Sequence, residues 1–476
     1  MALSNWSRTS LDAVFGVDSV GDSPEERAKT SKQLFVRSQV QIALANERAT
    51  GRKLSATEAL DNFGSSIMLD LSHKNAVPLI LKSGEPGKTI KTRRNEMGLL
   101  IEDLSKATGI SQDDISVFED GLSILPFRKI EKIAKYLVLD ESVVGYEPGS
   151  GGDPQLGVRF KTFFNSAADE PQTLSAATVL RLSDAAWVVK KQLSLQAKLS
   201  KVQVKIIRDF GIEPSADYRY PAYQKGYILA AKTRKLLKLS EFEPINSLTE
   251  LVENTLCIPV VQTELSNRFA GATVAPSDTG RGIILNTKGL NSNVFVRRTT
   301  LAHELGHLLW DPEHRLNKLV VDEYEGINND IFGGSFDEVE ARANAFAAEF
   351  LAPAVGVKDI YEAYSNPVDG LRAVMEHYGV SFTTAKWQLI NSKLVSEEEK
   401  FSGIDTAHSN DWTINEEARL SYSPISSIPE SRRGRFEKLV LDCVNLGIIS
   451  SDSAASCLSC TEEEFLFHYA TLKEMF

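Results

Sequence analysis

The stretch that most restricts the fold is "TTLAHELGHL", Thr299 to Leu308. In it His303 and His307 stand four residues apart and Glu304 directly follows the first. On a helix this spacing puts both imidazoles on one face, one turn apart, where they can share a single metal ion. Glu304 then lies about 100° round the axis, placed to reach a water at the metal rather than the metal itself. This is the H-E-x-x-H arrangement, in which the glutamate works as general base. Thr299 or Thr300 can cap the start of the helix, and "DPE" (Asp311 to Glu313) stops it. Leu301, Leu305 and Leu308 make the core-facing stripe, and Trp310 shares the histidine face. Gly306 costs the helix about 1 kcal/mol against alanine, which makes sense if another backbone packs closely there. The bland alternative is a core helix that buries two satisfied histidines.

A third ligand decides between the two. Downstream runs "SFDEVEARANAFAAEFLAP", Ser335 to Pro353. Ser335 with Glu338 three residues later forms a capping box, and Pro353 follows the helix end. Glu340, Asn344, Ala347 and Leu351 share one face, whose alanines let it press against the histidine helix. Glu338 and Glu349 point to the solvent side, and Asp337 is the reserve ligand. Geometry selects Glu340. His303, His307 and Glu340 leave a fourth position open for water, the arrangement of catalytic zinc.

Composition narrows the setting. The 476 residues suggest about three domains. A net charge of −11 gives no global attraction to DNA or anionic membranes. The start shows no basic, then apolar, leader pattern. No apolar run approaches the roughly 18 residues that cross a bilayer. Four cysteines argue for a reducing compartment, so a cytoplasmic protein is expected. "CIPVVQTEL" (Cys257 to Leu265) and "RGIILNT" (Arg281 to Thr287) read as short strands, able to support the metal helix or to bind an extended substrate backbone.

"RRTTLAHELGHLLW" followed by "VEARANAFAAEFLAP" resembles the ImmA/IrrE family of metallopeptidases over roughly Tyr220 to Val395. Glu340, Ala343, Asn344, Phe346, Ala347 and Pro353 fit its third-ligand helix, with Phe350 in place of a leucine. The resemblance implies a zincin-like peptidase domain with a Zn(2+) cofactor. It also implies a protein substrate, a transcriptional repressor or other regulator, often of a stress response. Candidate oxyanion donors are His314, Tyr324 and His377, with no spacing argument to choose among them.

Between the turn-rich linkers "KSGEPGK" and "YEPGSGGDPQ" lies Ile90 to Asp140. Its Leu100, Leu104, Ala107, Ile110, Ile115, Phe118, Ile130, Ile133, Ala134 and Leu137 fall at core spacings, and Gly109 sits at a turn. The segment resembles a Cro/cI (XRE)-type helix-turn-helix, with Ser111 to Asp120 as recognition helix. Ser111 and Gln112 suit base edges, and Lys91, Arg93 and Arg94 suit phosphates. Against this, Lys88 to Leu139 holds nine Lys or Arg and eight Asp or Glu, so protein contact is the alternative to DNA.

The expectation is a multidomain, mostly helical α+β chain. Residues 1–84 read as a helical N-terminal region, with "SKQLFVRSQVQIALANERATG" the helical-looking stretch. A five-helix helix-turn-helix domain (85–147) and a connector with a pair of helices (155–219) follow. The small peptidase domain (220–400) joins helices to a short sheet, and 401–476 is a loop and a helical tail. Cys457 and Cys460 form a C-x-x-C pair, but only Cys443 and His468 could complete a zinc site, so helix packing is the better reading. The functional expectation is a zinc endopeptidase with Glu304 as base, free of membrane, with a homodimer left open. The alternative is a transcription regulator whose peptidase-like domain senses a ligand or partner.

Overall fold

The computed structural model describes residues 6–46, 50–80, 82, 84–146, 175–200, 221–267, 269–277, 280–311, 320–323, 338–396, 398–402, 410–417 and 422–476. The chain forms two compact units, Met1–Lys201 with Tyr422–Phe476, and Val202–Ser421. Among the described residues no helix is long and apolar enough to cross a membrane.

The first unit opens with helices α1 (Arg8–Phe15) and α2 (Pro24–Thr30). Next come strands β1 (Phe35–Arg37), β2 (Gln41–Leu44) and β3 (Arg52–Leu54), helix α3 (Ala56–Leu71) and strand β4 (Ala76–Pro78). The strands form an antiparallel sheet of order β3-β1-β2-β4, with Phe35 opposite both Leu44 and Leu54. This corrects the expectation of a helical N-terminal region, because the helical-looking stretch supplies two of the strands and runs directly into a third. Strands of three or four residues are too short to show a period of two, and pairing partners override the helix formers around them. Phe35, Ile42, Leu54, Phe63 and Val77 bury the sheet against α1 and α3.

Four helices follow: α4 (Glu85–Glu96), α5 (Ile101–Thr108), α6 (Gln112–Glu119) and α7 (Phe127–Tyr136). The chain then passes into turns over 141–146, so the described residues hold four helices there rather than five. Gly109 ends α5 at φ 69°, a left-handed cap that glycine adopts without penalty, and Ser111 caps α6. The expected core is buried save for half-buried Ala107 and for Leu100, which is 64% exposed; Leu99 takes the inner place. In the connector, the described part holds one helix, α8 (Ala176–Lys198), which buries Leu180, Ala185, Val188 and Leu193.

The second unit begins with α9 (Ala222–Leu236) and carries strands β5 (Val260–Thr263), β6 (Phe269–Ser277) and β7 (Gly280–Asn286). Helix α10 (Val294–Trp310), strand β8 (Val320–Glu323) and helix α11 (Glu338–Leu351) come next. The sheet order is β5-β7-β6-β8, parallel at β5–β7 and antiparallel elsewhere, so β8 lies at an edge. Helices α12 (Ala354–Glu362), α13 (Pro367–Tyr378), α14 (Phe382–Asn391) and α15 (Asn410–Glu417) complete the unit. Gly226 of α9 lets α11 approach closely, since a Cβ there would stand 2.4 Å from the Arg342 carbonyl oxygen. Trp310 lies in the core with Leu301, Leu305, Leu308 and Phe346. The stretch expected as a loop contributes α15, whose Glu416 forms a buried ion pair with Arg298. Arg298 also stacks on Trp412, 4.4 Å from the ring centroid.

The tail returns to the first unit as α16 (Arg435–Asn445), α17 (Ser451–Leu458) and α18 (Glu462–Met475). Asp452 accepts from Arg52 Nη1 at 2.9 Å and from Arg128 Nη2 at 2.5 Å. The buried Glu58 carboxylate accepts from the backbone N–H groups of Ser55 and Ser450, both at 2.9 Å. One side chain thus caps α3 and anchors the start of α17.

Candidate metal centre

Helix α10 begins at Val294, capped by Asn293, so it starts earlier than the threonines suggested. Thr299 and Thr300 lie inside it, bonding back to the carbonyls of Phe295 and Val296. The added length places His303, Glu304 and His307 deep in the unit, all buried. Asp311 ends the helix, as expected.

The three expected ligands come together. His303 Nε2 and His307 Nε2 are 3.0 Å apart, and Glu340 Oε2 is 3.3 Å from each. A tetrahedral zinc ion with bonds of about 2.0 Å needs ligand atoms about 3.3 Å apart, so this triangle fits the ion. Among the described residues it is the one such cluster of His, Cys, Asp and Glu.

Both imidazoles are oriented from behind. His303 Nδ1 lies 2.8 Å from Asn344 Oδ1, and His307 Nδ1 lies 2.9 Å from Asp311 Oδ2. Those oxygens accept, so each Nδ1 carries the proton and each Nε2 presents its lone pair to the shared point. Arg342 Nη2 in turn ion-pairs with Asp311 Oδ1. Three acceptor atoms converging on one point is an arrangement that a divalent cation satisfies. Helix α11 therefore gives the ligand Glu340, the His303 partner Asn344 and the Asp311 partner Arg342.

Glu304 stands beside the triangle. Its Oε2 accepts a 2.7 Å hydrogen bond from Thr273 Oγ1 on β6. Gly271, two residues earlier on the same strand face, leaves room for the carboxylate, since a Cβ there would meet Oε1 at 2.7 Å. Gly306 makes a similar allowance. An added Cβ would lie 2.9 Å from Phe346 Cδ1, so its close neighbour is a side chain of α11 and not the expected backbone.

Sequence reasoning missed Thr273, Asp311 and Arg342. Asp311 carried a signal, since it lies four residues after His307; the Thr273 contact spans 31 residues and carried none. Glu338 is exposed as expected, but Glu349 is half-buried. It accepts from Gln388 Nε2 at 2.8 Å and from the Ala354 N–H at 3.0 Å. Burial pushes its carboxyl up to about 7.

His314, Tyr324, Ser335 and Asp337 lie outside the described residues. His377 is exposed on α13, with Nε2 3.2 Å from the Phe242 carbonyl oxygen, and is not gathered with the triangle. In the four-helix segment Arg93 and Arg94 are buried, which removes them as phosphate contacts. Arg94 makes a two-pronged pair with Glu119 at 2.8 and 2.7 Å, and Arg93 donates to the Leu137 carbonyl. Lys91 is paired with Asp120, Ser111 caps α6 and Gln112 is exposed. Cys443, Cys457 and Cys460 form no disulfide among the described residues. Burial pushes Cys457 up and Cys460 up to about 12, so neither is poised as a thiolate ligand.

With this geometry in place, the sequence comparison has a structural counterpart. Residues 268–389 match the family model Peptidase_M78, the IrrE N-terminal-like domain. The match covers about a quarter of the chain and takes in Thr273, both histidines, Glu304 and Glu340. This part of the chain is a metallopeptidase-like domain. No curated protein matches the chain.

Proposed function

We propose that the chain is a zinc-dependent, site-specific endopeptidase that cleaves a regulatory protein, with a transcriptional repressor as the expected substrate. The observation that carries the reading is Glu304, buried next to three convergent ligand atoms and held by Thr273 at 2.7 Å. A domain kept only for sensing has no need of a positioned base beside a complete ligand set. Zinc, when bound, polarises a carbonyl and brings the pKa of water toward neutrality.

The chain's own residues do the rest. His303, His307 and Glu340 hold the ion, and Asn344 and Asp311 fix the imidazole tautomers. Glu304 takes a proton from the attacking water on a carboxylate oxygen and delivers it to the leaving amine, while Thr273 keeps the other oxygen in place. Among the described residues β8 is an edge strand, and an extended substrate segment could add to it as a further strand.

The second reading is a DNA-binding regulator with a sensor domain. The burial of Arg93 and Arg94 and the pairing of Lys91 with Asp120 count against it. The test compares the full chain with Glu304→Gln, measuring bound zinc and cleavage of repressors encoded nearby. The expected result is equal zinc and at least a hundredfold slower cleavage by the variant. Equal cleavage by both forms, or wild-type protein that takes up no zinc, would sink the proposal.

A further inference from the structure

The first unit contains a cleft that the peptidase reading leaves unused. Arg128, Lys132 and Lys135 recur along one face of α7 and open onto a space of about 490 Å³. The facing wall is the tail, with Arg432, the end of α17 and the first residues of α18. The volume lies within the range of small-molecule sites.

The charges around this cleft do not cancel. Arg52 is taken by Glu131 and Asp452, Arg128 also by Asp452, and Arg432 by Asp184. Glu462 is matched by Lys53. Every lining carboxylate thus already faces a cation. Lys132 is exposed and pairs with no carboxylate among the described residues. Lys135 is only 9% exposed, yet its Nζ meets just the hydroxyl and carbonyl of Ser456. Arg432 is 3% exposed, and its Nε has no hydrogen-bond partner among the described residues. Lys135 and Arg432 also share one indole, each 4.9 Å from the centre of the Trp187 ring. Burial, and then the charge of Arg432, push Lys135 down to about 8. Two buried cations on one ring, beside an unpaired lysine, leave a surplus of positive charge among the lining side chains.

We infer that this cleft binds a small molecule through a phosphate group, held by Lys132, Lys135 and Arg432. A phosphate monoester carries close to two negative charges at neutral pH, which the positive surplus of the lining attracts, and its oxygens accept from the lysine ammonium groups. Tyr136 and Ser459, both hydroxyl-bearing, line the same space. Such a ligand bridges α7 to the tail, joining parts of the chain about 320 residues apart in sequence.

Calorimetric titration of the full chain with inorganic pyrophosphate, at constant ionic strength and with chloride as control, tests this. The expected result is saturable binding at one site per chain. Lys132→Glu should weaken it about tenfold or more with an unchanged melting temperature. Lys135→Met should abolish it, and if that variant does not fold, Lys132→Glu alone decides. Absence of saturable binding, or equal affinity in wild type and Lys132→Glu, overturns the inference. So does displacement of pyrophosphate by a short DNA duplex, which would assign these cations to a nucleic-acid backbone.

Discussion

Gly306→Ala sets two magnitudes of opposite sign against each other. Helix propensity alone credits the alanine with about 1 kcal/mol of added stability. The structure predicts the reverse. The new methyl would lie 2.9 Å from Phe346 Cδ1 and 3.3 Å from Cγ, where ordinary carbon contacts want about 3.5–4.0 Å. Phe346 is fully buried and stacks on Phe350, with ring centres 5.3 Å apart and planes 12° from parallel, so the ring cannot simply swing away. Overpacking of this kind costs about 1–3 kcal/mol, leaving a net loss of about 1 kcal/mol. In a unit of this size that is a fall in melting temperature of about 2–4 °C. The functional consequence follows from where Phe346 sits, two residues after Asn344 and six after Glu340 on α11. If α11 retreats, Glu340 Oε2 and Asn344 Oδ1 lose their places against the imidazoles, and zinc affinity falls about tenfold. Thermal melts in chelator and competitive zinc titration measure the two effects separately. Phe346→Leu should relieve the clash, giving a coupling of about 1 kcal/mol in a double-mutant cycle. A Gly306→Ala protein that melts higher than wild type and binds zinc equally would refute the packing argument.

Three further outcomes are expected. Asn344→Ala should lower zinc affinity about 10–100-fold, while Asn344→Asp, which keeps an acceptor for His303 Nδ1, should stay near wild type in the same titration. Glu416→Ala strands the Arg298 guanidinium inside the second unit and should cost about 3–5 kcal/mol, read from denaturant unfolding. Glu349 sets a pH dependence. Its folded pKa of about 7 lies above the ordinary 4.5, so between those values the folded chain holds the extra proton and stability falls as pH rises. Glu349→Gln should remove a loss on the order of 3 kcal/mol, raising the melting temperature at pH 8 far more than at pH 5.

The parts of this molecule legible from sequence are those whose partners lie on one helix. His303 and His307 are one turn apart, and the face shared by Glu340 and Asn344 follows from the period of α11, so ligand choice needed no tertiary information. Position within the motif already separated the base from the ligands. What stayed hidden depends on pairing across the chain. Strand β6 reads "FAGATVAPS", small residues and a proline without an alternating apolar face, yet its Thr273 holds Glu304 because β6 lies against α10. Leu99 and Leu100 are equivalent by composition, and only the entry angle of α5 decides which is buried. Arg93 and Arg94 looked like surface cations because basic residues usually are, and Glu119 turned one of them inward. The same holds for the tail. Asp452 meets Arg52 across 400 residues, so the charge balance of the cleft beside α7 is set by a segment that carries no motif of its own. Local periodicity reveals ligands; unpaired charge becomes visible only once distant segments have met.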